Sequence, residues 1–66
     1  MNDNNLAEKI AKLRKEKGLT QSQLAEMIKV SNKTISRWET GLSYPDISLL
    51  LSLSECLNVT VTEILN

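Results

Sequence analysis

The sequence contains very few of the residues on which catalytic, metal and disulfide sites depend. Its 66 residues include no histidine and one cysteine, Cys56. A single thiol cannot form a disulfide within the chain, and a metal site is not expected without histidine or a second thiol. The sequence also contains no histidine beside a nucleophile and no glycine-rich phosphate loop. We therefore expect a protein that is not an enzyme and that uses no metal and no other cofactor.

Long apolar runs are missing as well. The leucine-rich stretch 47–57 is too short to span a bilayer, and three serines and Glu55 interrupt it. Residues 1–5 contain no apolar core of a signal peptide. These features predict a cytoplasmic protein without a membrane partner. The length predicts a single domain over residues 1–66, either complete or the N-terminal part of a longer protein.

Neither sign of charge is in excess, since eight basic residues balance eight acidic ones. The charges are nevertheless segregated. All eight basic residues lie in residues 1–41 beside five acids, so this segment carries +3 and residues 42–66 carry −3. A polarised molecule can present a basic side to a polyanion although its total charge is zero. The distribution therefore permits a nucleic-acid partner, while the neutral total slightly favours a protein-interaction module.

Hydrophobic spacing and capping residues predict an all-α fold of five short helices. We expect them at about residues 6–17, 21–28, 32–39, 47–57 and 61–65, because apolar residues recur there three or four positions apart. The expected N-caps are Thr20, Ser31, Asp46 and Thr60, and the expected left-handed C-caps are Gly18, Gly41 and Asn58. The expected inward residues are Leu6, Ile10, Leu13, Leu24, Ala25, Ile28, Ile35, Trp38, Ile47, Leu50, Leu53, Ser54 and Leu57. Leu49 and Leu51 exceed what one inward stripe needs, which predicts an interface on the fourth helix.

The stretch from residue 21 to residue 40 carries most of the functional information. Two helices joined by so short a connection must cross steeply, and Ala25 supplies the small side chain that a close crossing needs. The third helix keeps a polar outer face, and no acid lies between Ser31 and Arg37. Such a face is well suited to bind a polyanion.

The residues GLTQSQLAEMIKVSNKTISRWETG, positions 18–41, resemble the helix-turn-helix of the Cro and phage-repressor (XRE) family. The resemblance continues through YPDISLLLSLSECLNVTVTEIL and so covers nearly the whole chain. The joint pattern T-Q-x-x-L-A, V-S, T-I-S-R-W-E and the following proline is specific. It implies a compact five-helix, lambda-repressor-like fold. It also implies a sequence-specific transcriptional regulator, most often a repressor, that inserts its third helix into the major groove of double-stranded DNA.

The resemblance also implies roles for individual residues. The base-contacting positions match Asn32, Lys33, Ser36 and Arg37. The phosphate-contacting positions match Thr20, Gln21, Ser31, Thr40, Gly41 and Tyr44, and Gln21 would also brace the third helix. Arg14 and Glu39 match a structural ion pair. Their chemistry agrees, because arginine can bond guanine through two donors and asparagine can bond adenine in the same way.

One position departs from the family pattern. Lys29 stands in the turn where glycine is common, because the backbone there is often left-handed. Lysine bears a strain cost in that conformation. Either the turn is distorted, or Lys29 adds a contact to a phosphate.

The expected assembly is a homodimer, joined through the fourth and fifth helices, on a pseudo-palindromic operator. Two other functions stay open. The chain could be a protein-interaction module that keeps the fold without binding DNA, or the antitoxin of a toxin–antitoxin pair. The sequence alone does not decide between repression and activation.

Overall fold

The structure, a computed structural model, describes residues 5–65. Within this range the chain forms five α-helices and no strand. They are α1 (Asn5–Glu16), α2 (Gln21–Ile28), α3 (Asn32–Thr40), α4 (Ile47–Leu57) and α5 (Val61–Leu65). The all-α, five-helix prediction is confirmed, although α1 lies one residue earlier than expected and α3 ends one residue later. None of the helices in residues 5–65 combines the length and the apolarity that crossing a membrane requires.

The helices begin where side chains can satisfy their first backbone N–H groups. The Thr20 hydroxyl accepts from the backbone N–H of Gln23 at 3.0 Å, and the Gln23 side chain accepts from the Thr20 N–H at 2.8 Å. Thr60 and Glu63 form the same reciprocal pair at the start of α5, at 3.0 and 2.9 Å. The N-caps of α3 and α4 are Ser31 and Asp46. All four predicted N-caps are therefore confirmed.

The core lies where the inward faces of all five helices meet. α1 packs against α3 and α5, and α2 packs against α3 and α4. Six side chains in it are fully buried: Ile10, Leu24, Ile35, Leu53, Leu57 and Ile64. Trp38 is also a core residue, so its indole is not free to stack on nucleic-acid bases.

The prediction for α4 was partly wrong. Leu50, Leu53, Ser54 and Leu57 face inward as expected, but Ile47 is 68% exposed. Ile47 is the first residue of α4 and lies at the edge of the inward stripe, on the side of the exposed Leu51, so the core does not cover it. Leu49 is partly buried and packs against the core cluster, and Leu51 is exposed, so both lie partly outside the core as expected. The exposed apolar residues of α4 are therefore Ile47 and Leu51.

Candidate nucleic-acid interface

The polar outer face of α3 is oriented by its buried inner face. Ile35 and Trp38 are buried in the core, and the residues on the opposite side are exposed. The exposed residues are Asn32, Lys33, Arg37 and Thr40, whereas Ser36 lies at the side of the helix and is partly buried. The family resemblance predicts Ser36 among the base-contacting residues, but its side chain is less accessible than those of its exposed neighbours.

Three polar side chains on this face have free donor groups. Asn32, Lys33 and Arg37 are exposed, and none has a side-chain hydrogen bond or ion pair within residues 5–65. Glu39 is the only acid of α3, and its side chain is turned inward with an exposed fraction of 6%. The face therefore presents unpaired cations and an amide without a competing carboxylate, as a polyanion-binding surface requires.

A buried network around Glu39 joins the first three helices. The Arg14 guanidinium donates two hydrogen bonds to the Glu39 carboxylate, Nε to Oε2 at 2.6 Å and Nη2 to Oε1 at 3.0 Å. Its Nη1 donates to the carbonyl oxygen of Leu19 at 2.7 Å, just before α2. The Gln21 side-chain amide donates to Glu39 Oε1 at 2.9 Å. Because α1, α2 and α3 meet at one carboxylate, the network fixes the orientation of α3 relative to α2.

The network also changes the acidity of its charged members. Burial by itself would raise the pKa of Glu39, but the hydrogen bonds from Arg14 and Gln21 and the positive charges of Arg14 and Lys15 outweigh it. The pKa of Glu39 is therefore held below its usual value. The hydrogen bonds to Glu39 likewise raise the pKa of Arg14. Both groups are ionised at neutral pH, so the pair keeps its full charge-assisted strength.

Gln21 is placed to bond in two directions. It is the first residue of α2 and is partly buried, and one N–H of its amide is directed to Glu39. A primary amide has two N–H donors, so the second remains for an acceptor outside the protein. The Gln21 amide can therefore brace α3 through one N–H and donate to another molecule through the other.

The other predicted phosphate-contacting residues differ in the donors they have left. The hydroxyl oxygens of Thr20 and Ser31 accept the capping bonds of α2 and α3. The Thr40 hydroxyl donates to the carbonyl of Ser36 at 3.0 Å, and the Gly41 N–H donates to the last turn of α3. The Thr40 hydroxyl and the Gly41 N–H therefore already donate to carbonyl groups at the end of α3. The exposed Tyr44 has no side-chain partner within the described range, so its phenol is free.

The turn between α2 and α3 is regular, not distorted. Lys29 has φ 64° and ψ 45° and is the left-handed C-cap of α2. Its side chain is exposed, next to the start of α3. The sequence signal for this left-handed position is a lysine where the family pattern favours glycine.

The candidate interface holds no grouping suited to a metal. Within residues 5–65, no cluster of histidine, cysteine, aspartate or glutamate could hold a metal ion.

A family model and a known bacterial regulator both match most of this chain. The family model described as helix-turn-helix matches residues 10–64. The HTH-type transcriptional activator BcrR of Enterococcus faecalis is 46% identical over 59 residues, which cover 89% of this chain and 29% of that protein. This chain therefore corresponds to less than a third of the length of that relative.

Solved structures with the same fold include two regulators. The master regulator for biofilm formation SinR, solved in complex with DNA, has a TM-score of 0.86 and 35% identity, covering 92% of this chain and 98% of that one. The clp gene regulator ClgR from C. glutamicum has a TM-score of 0.85 and 30% identity, covering 96% of this chain and 82% of that one. The likeness extends over nearly all five helices.

Proposed function

The chain belongs to the helix-turn-helix family of the phage-repressor (XRE) type, and we propose that it is a sequence-specific DNA-binding transcriptional regulator. The observation that carries the proposal is the outer face of α3. Its exposed Asn32, Lys33 and Arg37 have free donors, and its one acid is directed inward to Arg14. SinR, which shares 35% identity, was solved in complex with DNA and supports the same partner here.

In this proposal α3 enters the major groove and its side chains select the bases. Arg37 donates to the O6 and N7 atoms of a guanine, and Asn32 bonds the N6 and N7 atoms of an adenine. Lys33 bonds a guanine or a nearby phosphate, and Ser36 contributes from the side. Each bidentate contact would discriminate against a wrong base pair by about 1–3 kcal/mol.

The phosphate contacts would fix the register of the domain on the duplex. Gln21 would donate its second amide N–H to a phosphate, with Thr20 and Ser31 beside it at the starts of α2 and α3 and Tyr44 on the loop after α3. Thr40 and Gly41 belong to this set only if their donors leave the end of α3 on binding. The network at Glu39 would hold Gln21 and α3 in one rigid arrangement, so phosphate contacts and base contacts share a register.

We also propose that the regulator acts as a homodimer through α4 and α5. Ile47, Leu51 and Leu65 are more than half exposed on these two helices, and a second copy would cover them. The domain is 31 Å in its longest dimension. Two copies in contact can therefore place their α3 helices about 34 Å apart, one turn of the duplex, on a pseudo-palindromic operator.

The specific form of regulation that we propose is repression. Occupying an operator excludes polymerase without any further contact, whereas activation requires an additional contact to the polymerase. BcrR is named an activator, so the sign needs its own test. A reporter gene behind the operator should fall in expression when the chain is supplied, and a rise would contradict repression.

The proposal is tested by selecting binding sites from a pool of random-sequence duplexes and sequencing them. We expect an enriched inverted repeat for the parent. Arg37→Ala and Asn32→Ala should each relax the preference at one specific base pair of each half-site, while the matched control Lys12→Ala on the exposed part of α1 should select the same repeat. If no sequence is enriched from the pool at low salt, the proposal of sequence-specific binding is wrong. A protein-interaction role would then be favoured, in agreement with the neutral net charge.

A further inference from the structure

Four of the five helices end in the same backbone motif. In each, a backbone N–H donates to the carbonyl five residues earlier, from Leu19 to Arg14, Val30 to Ala25, Leu42 to Arg37 and Val59 to Ser54, at 2.9–3.1 Å. This is the Schellman motif, in which the residue just before the N–H donor has a left-handed backbone. The four left-handed residues are Gly18, Lys29, Gly41 and Asn58, with φ between 57° and 80°.

Lys29 is the exception among these four residues. Glycine has no Cβ, and asparagine tolerates the left-handed region through its short polar side chain. In lysine the Cβ approaches the following carbonyl oxygen, which strains the backbone. Nothing in the α2–α3 connection requires a long side chain for packing, because Lys29 is exposed and its ammonium group has no partner within the described residues. The strain therefore has no compensating contact inside the domain.

Its place in the charge pattern indicates a compensating contact outside the domain. Lys29 precedes Lys33 by four residues, and Lys33 precedes Arg37 by four. All three are exposed, and no acid lies between Met27 and Trp38. Lys33 and Arg37 lie one turn apart on α3, and Lys29 lies in the turn three residues before α3 begins.

The width of the DNA major groove indicates what would lie beside Lys29 if α3 entered that groove. A helix with its side chains is about 10–12 Å wide, nearly as wide as the major groove at about 12 Å. In a helix-turn-helix the N-terminal residues of the second helix contact base edges while the first helix crosses the DNA backbone, so the turn that joins them lies near the phosphates at the border of the groove. A lysine in that turn has a mobile cation within reach of them.

We infer that Lys29 is a phosphate-contacting residue that the family pattern does not assign, holding a strained left-handed turn so that its ammonium group meets the DNA backbone beside α3. This inference rests on the proposed function and adds a contact to the same interface. It predicts that Lys29 contributes to affinity on every sequence alike, because phosphate contacts carry no base information.

The test measures how binding to DNA depends on salt. The probe is a labelled mixed-sequence duplex of about 20 base pairs, two helical turns. Each phosphate contact contributes about 0.9 to the slope of log affinity against log salt. Lys29→Gly and Lys29→Asn should each reduce the slope by about one, whereas Lys29→Arg should retain it. Lys29→Gly should also raise the urea midpoint of unfolding, which separates weaker binding from misfolding.

Two matched controls isolate the position. Lys12→Gln removes the same charge from an exposed site on α1, and Asn58→Gly changes a left-handed cap without changing charge. Both should keep the slope of the parent. A parent that binds the duplex while Lys29→Gly and Lys29→Asn keep its slope would overturn this inference alone. A parent that binds no duplex would overturn the proposed function together with it.

Discussion

Arg14 is the charged side chain on which the orientation of α3 most depends. Its guanidinium makes three hydrogen bonds, two to Glu39 on α3 and one to the Leu19 carbonyl before α2. The side chains of Arg14 and Glu39 are only 10% and 6% exposed. Removing one partner from such a pair leaves the other charge buried without a partner, which strongly destabilises the fold. Replacing both partners with apolar residues destabilises it much less, because no buried charge remains.

We therefore predict that Arg14→Met lowers the free energy of unfolding by about 3 kcal/mol or more, and that adding Glu39→Met to it restores part of the loss. Urea denaturation at neutral pH measures both. The control is Lys12→Met on the exposed part of α1, expected within about 0.5 kcal/mol of the parent. An Arg14→Met curve that coincides with the control would contradict the structural role of the pair.

The lowered pKa of Glu39 leads to a prediction of how the stability of the fold changes as the pH falls. Its pKa is lower in the folded protein than its ordinary value of 4.5. The stability that this carboxylate contributes is therefore present above about pH 4.5 and is lost as the pH falls through the lower folded value. Thermal unfolding followed from about pH 6, above the range of this loss, down to about pH 2 should show a steeper decline for the parent than for Glu39→Gln. Equal declines would show that Glu39 is not the titrating group.

The sequence predicted this pair only through the family resemblance. Arg14 and Glu39 are 25 residues apart, and no local pattern links two charges at that separation. The bond from Gln21 to Glu39 is equally non-local. By contrast, the inward direction of Ile35 and Trp38 follows from helical spacing alone, and that spacing also determines which side chains of α3 face outward.

Among the elements, α5 shows how far local signals can specify structure. A helix of five residues is not stable alone, because nucleation costs more than so few bonds return. The reciprocal bonds between Thr60 and Glu63 satisfy its first N–H groups, and the fully buried Ile64 anchors it to the core. The cap and the anchor together define the element.

We predict that Thr60→Ala lowers the free energy of unfolding by about 1 kcal/mol, the usual cost of losing an N-cap. Thr62→Ala, at an exposed threonine that is the second residue of the same helix, should change it by less than about 0.5 kcal/mol. Chemical denaturation of the two variants side by side measures the difference. A loss of equal size in both would show that the cap is not what stabilises the start of α5.

Helix starts and ends were predictable because each depends on three or four consecutive residues. The four N-caps and the left-handed Gly18, Gly41 and Asn58 all followed from such local signals. The exposed side of α4 was harder to predict. Ile47 lies at the edge of the apolar stripe, and whether it is buried depends on how far the neighbouring helices extend, which periodicity does not encode.

At the scale of the whole molecule, the proposed dimer depends on apolar area that the single chain leaves uncovered. Leu51 on α4 and Met27 on α2 have nearly equal exposed fractions, 51% and 50%. They form a matched pair, because only Leu51 lies on the proposed dimer surface.

We predict that the parent sediments as a dimer at high micromolar concentration and that Leu51→Gln shifts it to the monomer, whereas Met27→Gln leaves it unchanged. Analytical ultracentrifugation over a concentration series measures this. A monomeric parent across the series would contradict the homodimer, and a shift caused only by Met27→Gln would place the interface on α2.

The central claim is that the outer face of α3 is the surface that meets DNA. Its most direct test follows the backbone amide signals of the isotope-labelled chain by NMR during titration with the selected operator duplex. We predict that the largest shifts fall on α3 and its borders, from Lys29 to Arg37 and at Gln21 and Tyr44, while the signals of Glu8, Lys12 and Lys15 on α1 stay unchanged. Large shifts on that part of α1, with α3 unaffected, would contradict it.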